Sequence, residues 1–180
     1  RIIVLVMFLS LFMLVGCDKK TNKSESNDTM TINILYPPSR VVEFSYPKSR
    51  SFSLKNNYRE EGETRTVIQT IYSNDLAIGM DIGVRDFTYA ELNNTIETYK
   101  HEGSFTEYKF GKKEGYILLE TPDVLQFYMV LATDKDTADK TVLSGTVKYV
   151  NPPESGKGKI RELFENKIMK EFLATATIKE

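Results

Sequence analysis

Through much of the chain apolar and polar residues alternate with a period of two, the signature of strands with one face buried. Thr31–Tyr36 (TINILY) alternates and stops at Pro37-Pro38, and Val41–Tyr46 (VVEFSY) alternates and stops at Pro47. Proline has no N–H to give to a strand ladder, so it ends both segments. Ser51–Asn56 predicts a further short strand. Thr64–Ser73 and Leu76–Val84 flank the turn dipeptide Asn74-Asp75 and predict a hairpin. In the second arm Ile78, Met80, Ile82 and Val84 share the inward face, while Ala77, Gly79, Asp81 and Gly83 share the opposite one.

The period then changes. Thr88 with Glu91 three residues on forms a capping box, Gly103 supplies the stop, and Tyr89, Leu92, Ile96 and Tyr99 fall on one helical face, so Thr88–Lys100 predicts a helix. Strands resume at Ser104–Phe110 and Tyr116–Glu120, with GKKEG (Gly111–Gly115) as the turn between them. Val124–Thr133 is nearly all apolar, which suits a strand covered on both faces. Thr141–Val150 follows, and Pro152-Pro153 ends the sheet. Lys159–Ala176 carries Ile160, Leu163, Phe164, Ile168 and Phe172 on one stripe, predicting a single amphipathic helix. The fold class expected is α+β: a mainly antiparallel sheet, one helix between the strand groups, and a C-terminal amphipathic helix packed on the sheet, all in one domain over 31–180. This element order over Val41–Ala176, with FSYPKSRSFSL (Phe44–Leu54) early and a closing helix, resembles the PsbP-like fold. That fold includes the photosystem oxygen-evolving subunit, a related nuclear-transport factor and bacterial lipoproteins. The likeness implies architecture and transfers no functional residue.

Ahead of the alternating region the pattern is different. Ile2–Gly16 is apolar except for Ser10 and follows a single positive residue, Arg1. A bilayer core about 30 Å thick needs roughly 20 apolar helical residues, so this run is short for a span. A positive start, a short apolar core and small residues at the end describe a secretory signal over 1–16. With no initiating methionine, a residue or two of the positive region is expected upstream. Leu14-Val15-Gly16-Cys17 then resembles the lipobox of bacterial lipoproteins, in which the signal is cut before the cysteine and a diacylglycerol is attached to its sulfur. The resemblance implies lipidation at Cys17. Two acyl chains hold a protein on a membrane where one does so only marginally. Asp18–Met30 (DKKTNKSESNDTM) has no apolar periodicity and reads, with Cys17, as a flexible tether over 17–30, with an r.m.s. span of roughly 20 Å.

Cys17 is the chain's one cysteine, so an exported domain must rely on its apolar core rather than on a disulfide. The net charge of −1 gives no basic excess to suggest a nucleic-acid partner. Lysine outnumbers arginine, Asn, Ile, Tyr and Phe are plentiful and Trp is absent, the usage of an A+T-rich genome. The localisation expected is the outer face of the cell membrane, lipid-anchored, in a Gram-positive bacterium.

Candidate chemistry is sparse. His101, the one histidine, sits on the last turn of the predicted helix, where the dipole favours a cation, and no Gly-x-Ser-x-Gly elbow exists to partner it. A lipidated cysteine and one histidine make no zinc set. Asp134–Asp139 (DKDTAD) has the look of a calcium loop, but Asp139 and Gly145 stand where Gly and Glu belong, so it reads as a hairpin loop. Ser155–Lys159 (SGKGK) lacks the first glycine and the closing Ser or Thr of a phosphate loop and reads as a linker. Phe110–Tyr116 reads as a charged hairpin tip. The pairs Asp81/Asp86 and Glu60/Glu61 would serve acid–base chemistry only if a cleft brought carboxylates within about 5–10 Å. No catalytic residue, cofactor or metal is therefore expected. The leading reading is a non-catalytic lipoprotein that displays one sheet face to a protein or small molecule. The alternatives are an accessory subunit of a secretion or transport complex and a carboxylate-based hydrolase of wall or glycan.

Overall fold

A computed structural model of the chain describes residues 29–36, 40–61, 64–103, 105–154 and 157–179. Ten strands and three short helices follow in the order β1 (Thr29–Tyr36), β2 (Arg40–Pro47), β3 (Phe52–Glu61), β4 (Thr64–Ser73), β5 (Ile78–Phe87), α1 (Tyr89–Glu102), β6 (Thr106–Phe110), β7 (Lys113–Glu120), β8 (Val124–Thr133), β9 (Lys140–Tyr149), α2 (Ile160–Phe164), α3 (Lys167–Ala174) and β10 (Thr177–Lys179). A seven-stranded sheet runs β3-β4-β5-β9-β8-β7-β6 and a three-stranded sheet runs β1-β2-β10. Every pairing is antiparallel.

Strand periodicity decides what is buried. Ile78, Met80 and Ile82 of β5 point to the same side as Ile71, Phe127, Met129, Leu143 and Val147. They meet Val42 and Phe44 of the small sheet, together with Phe164 and Phe172 of the short helices, in the main core. On the other face of the large sheet Phe87, Leu118, Val130 and Val142 form a second cluster under Leu92 and Ile96 of α1. The nearly unbroken apolar run of β8 is thus explained, since Leu125, Phe127 and Met129 serve one cluster and Val130 the other.

Local chemistry sets α1. The Thr88 hydroxyl accepts from the Glu91 N–H at 3.2 Å, the Glu91 carboxylate accepts from the Thr88 N–H at 2.9 Å, and Gly103 closes the helix at φ 80°. Those bonds hold the Glu91 carboxyl below its ordinary range. Tyr89 departs from the predicted stripe and is exposed, because it sits at the first helical position, where its N–H donates to Asp139.

Several expectations are corrected. β1 begins at Thr29, so Thr29 and Met30, read as tether, instead pair with Pro47 and Tyr46. Leu76 and Ala77 belong to the turn after β4, with Ala77 at φ 53°, and β5 continues to Phe87 rather than ending at Val84. The β6–β7 turn is only Gly111-Lys112, and Lys113, Glu114 and Gly115 are already in β7. The expected single helix over Lys159–Ala176 is two, broken at Glu165-Asn166. There the Asn166 side chain accepts from the Ile168 N–H at 2.9 Å and starts α3 afresh, adding Met169 and Leu173 to the buried set. A short strand, β10, follows on the open side of β2.

Core packing makes one glycine demanding. A Cβ on Gly145 would lie 2.2 Å from Phe127 Cε1, and the Phe127 ring is fully buried between those of Phe110 and Phe164, at 5.3 and 5.2 Å. Gly145→Ala is expected to cost about 1–3 kcal/mol by overpacking. In a Phe127→Leu background that cost should shrink, giving a coupling energy in a four-protein urea-denaturation cycle. Additive costs would mean that the ring is not the obstacle.

Candidate functional site

α1 covers only part of the outer face of the large sheet. Across β3, β4, β5 and β9 that face instead carries polar side chains in a bonded row. Asn57 Nδ2 donates to Thr70 Oγ1 at 2.8 Å, Thr70 Oγ1 donates to Asp81 Oδ1 at 2.7 Å, and Lys148 Nζ donates to Asp81 Oδ2 at 2.7 Å. The register makes this row: Thr70 lies opposite Asp81, and Asp81 opposite Thr146, with Lys148 two residues further along β9 on the same face. Thr70 is fully buried beneath its neighbours, whereas Asn57 and Lys148 are exposed and Asp81 is half-buried. Tyr72 lies beside the row with its ring against Gly79, whose missing side chain leaves room for it, and Lys55 Nζ stands 5.2 Å from the ring centroid. A partly exposed pair such as Asp81–Lys148 adds little stability, typically about 0–1 kcal/mol. Its effect is to hold both charges at fixed places on an accessible surface.

The carboxylates singled out from the sequence do not converge. Asp81 and Asp86 point to opposite faces of β5, and Asp86 Oδ1 accepts from Thr141 Oγ1 at 2.6 Å at the far end of the strand. Glu60 and Glu61 are in β3, and their side chains lie outside the described residues, as do Cys17, the leader and residues 18–28. His101 is exposed on the last turn of α1. In the Asp134–Asp139 loop, Asp134 Oδ1 accepts from the Thr137 N–H at 2.9 Å, the Asp136 N–H at 2.8 Å and the Thr137 hydroxyl at 3.2 Å. Those donors hold the Asp134 carboxyl below its ordinary range and build the turn. Of Ser155–Lys159, the backbone at Gly158 presses against Pro122, where an added Cβ would come within 2.3 Å of the carbonyl oxygen. Among the described residues no group of three His, Cys, Asp or Glu side chains is placed to hold a metal ion, and no helix is long and apolar enough to cross a membrane.

Phe110–Tyr116 holds more than a solvated tip. Glu114 receives the Tyr116 hydroxyl and, at 2.9 and 3.1 Å, Lys140 Nζ from the end of β9. Burial works against the Glu114 charge, but these two donors prevail and hold its carboxyl below the ordinary range. Burial and the neighbouring carboxylate push the Tyr116 hydroxyl far up.

A cleft of about 450 Å³ opens between the β2–β3 turn and α3. Tyr46, Phe52 and Phe172 line its inner side, with the Phe52 and Phe172 rings stacked at 4.0 Å and the Tyr46 hydroxyl donating to the Phe52 carbonyl at 3.1 Å. Arg50, Lys167 and Glu171 stand at its rim. Its size is that of a small-ligand site, and its mix of aromatic floor and few charged groups is of the kind such sites use. Sequence reading missed this cleft and the partners of Asp81, because their parts come from segments far apart in the chain. A scan against protein-family models and searches of curated proteins and of solved structures found no match to this chain.

Proposed function

We propose that the chain is a lipid-anchored extracytoplasmic protein whose folded domain is a non-catalytic binding or assembly module, displaying the open part of its large sheet to a protein or small molecule. The observation that carries this reading is the bonded row Asn57–Thr70–Asp81–Lys148, set beside Tyr72 and Lys55 on a face that α1 leaves uncovered. Fixed charges and hydroxyls beside an aromatic ring suit recognition, since they are ordered before a partner arrives. Among the described residues, Asp81 is engaged by Thr70 and Lys148, Asp86 by Thr141, and Glu114 by Tyr116 and Lys140. The element order that resembles the PsbP-like fold is a likeness of architecture in this reading and assigns no ligand. Localisation at the outer face of the membrane follows from the lipobox Leu14–Cys17.

Complementation of a deletion strain tests it. His101→Ala, Asp134→Asn and Asp81→Asn are expected to complement, the last because asparagine keeps an acceptor for Thr70. Tyr72→Ala combined with Lys148→Glu is expected to fold, as judged by an unchanged circular-dichroism spectrum, and to lose complementation. Loss with Asp81→Asn alone in a folded protein would overturn the non-catalytic reading or place the binding site at the Asp81 carboxylate. Full complementation by the double variant would remove the open face as the binding surface.

A further inference from the structure

We propose that the cleft between the β2–β3 turn and α3 seats the phosphate-bearing headgroups of the bilayer to which Cys17 ties the chain, so that the domain rests on the membrane by this end. The inference rests on the lipid-anchor reading and goes beyond it, because a tether alone leaves the domain free to face any direction.

Strand register places the point where the chain enters the domain. Thr29, the first residue of β1, lies directly opposite Pro47, the last of β2, and the turn that follows Pro47 is the cleft's rim. The stretch from Cys17 to Thr29 cannot exceed about 40 Å even when fully extended. The cleft therefore lies at the end of the domain where the chain enters, within reach of the headgroups.

Its charge fits that neighbour. Arg50 and Lys167 stand at the rim, and the Lys167 side chain is 85 % exposed. Glu171 is the acid lining the cleft and pairs with Lys167 at 3.6 Å, an exposed pair that a phosphate can compete for. The Asp75 carboxylate, from the neighbouring β4–β5 turn, accepts from the Ser51 N–H at 3.2 Å. Arg50 forms no ion pair among the described residues, and a guanidinium presents the planar donor fork that phosphate oxygens match. Behind these cations Phe172, Phe52 and Ile168 offer an apolar wall for the glycerol and the first methylenes of a lipid. Anionic lipid surfaces attract exposed Lys and Arg within a Debye length. The anchor adds the decisive factor: a tether of this reach gives an effective headgroup concentration at which contacts too weak to hold a free protein become populated.

A lipidated Cys17 has no free thiol, so one introduced cysteine is the single label site in the full chain. Ser49→Cys, in the turn, is labelled with a polarity-sensitive fluorophore, and the intact mass of the protein is used to verify diacylglyceryl at Cys17. The protein is inserted into nanodiscs of phosphatidylglycerol or phosphatidylcholine, and quenching by neutral acrylamide is read. Quenching is expected to fall about threefold in phosphatidylglycerol relative to detergent micelles, less in phosphatidylcholine, and to return to the micelle value with Arg50→Ala plus Lys167→Ala or with Lys167→Glu. Protection that survives millimolar inorganic phosphate supports the bilayer as the source. Protection by inorganic phosphate in micelles without any lipid phosphate overturns it in favour of a soluble anion. Equal quenching in all three settings, on a protein whose mass shows the lipid, overturns this proposal and leaves the anchor reading standing. A mass without the lipid overturns both.

Discussion

Phe172→Ala is expected to destabilise the domain by about 3–5 kcal/mol, the range for removing a buried phenylalanine. The ring is 2 % exposed and lies stacked between Phe44, at 4.9 Å, and Phe52, at 4.0 Å, with the Tyr46 ring edge-on at 5.9 Å. These contacts join α3 to β2 and β3, and so join the small sheet to the large one. Each aromatic pair adds about 0.5–1.5 kcal/mol beyond area burial, so the upper half of the range is expected. In urea the midpoint should fall with the slope unchanged, and the melting temperature of a domain this size should drop by roughly 10 °C or more. Phe172→Leu, which keeps most of the volume, should lose less than half as much. A loss below about 1 kcal/mol for Phe172→Ala would mean that α3 is peripheral to the core.

Cys17→Ser is expected to abolish the proposed lipid anchor. Wild-type protein labelled with palmitate in the bacterium should carry the label and sediment with membranes, whereas the serine variant should carry none and retain its leader. The effect is close to all-or-none, because the hydroxyl of serine does not replace the thiolate that attacks the lipid donor, and two acyl chains supply stable retention. Normal processing of the serine variant with continued sedimentation would mean that Leu14–Cys17 is not a lipobox. The folded domain should be indifferent to this change, since Ile32 is the first core residue among those described.

What the sequence disclosed is what depends on near neighbours. The capping box at Thr88 and Glu91, the stop at Gly103 and the inward faces of β5 and β8 are local patterns, and each is in the fold. The break at Glu165-Asn166 was hidden because the apolar stripe continues across it, so periodicity alone reads one helix where a capping asparagine makes two. β10 was hidden because three residues are too few to show alternation, and only its pairing with β2 makes it a strand. The surroundings of Asp81 were visible in half: its face was read, but not Lys148, which lies 67 residues further along the chain. The cleft was invisible for the same reason, as the β2–β3 turn and α3 meet only in the folded chain.

β2 is flanked by β1, its immediate neighbour in sequence, and by β10, and Ser45 on β2 bonds to Thr175 from 130 residues away. During synthesis, which runs amino end first, β1 and β2 arrive together but alone. A two-stranded hairpin is marginal in water, and this one must wait for almost all the remaining polypeptide before α3 and β10 arrive to complete its sheet. The large sheet imposes a similar delay, since β5 finds β9 only after α1 and three further strands. Closing such distant pairings is slow. An unfinished edge is therefore a long-lived intermediate, and the period before closure is when this protein is most open to proteases and to pairing with a neighbouring copy.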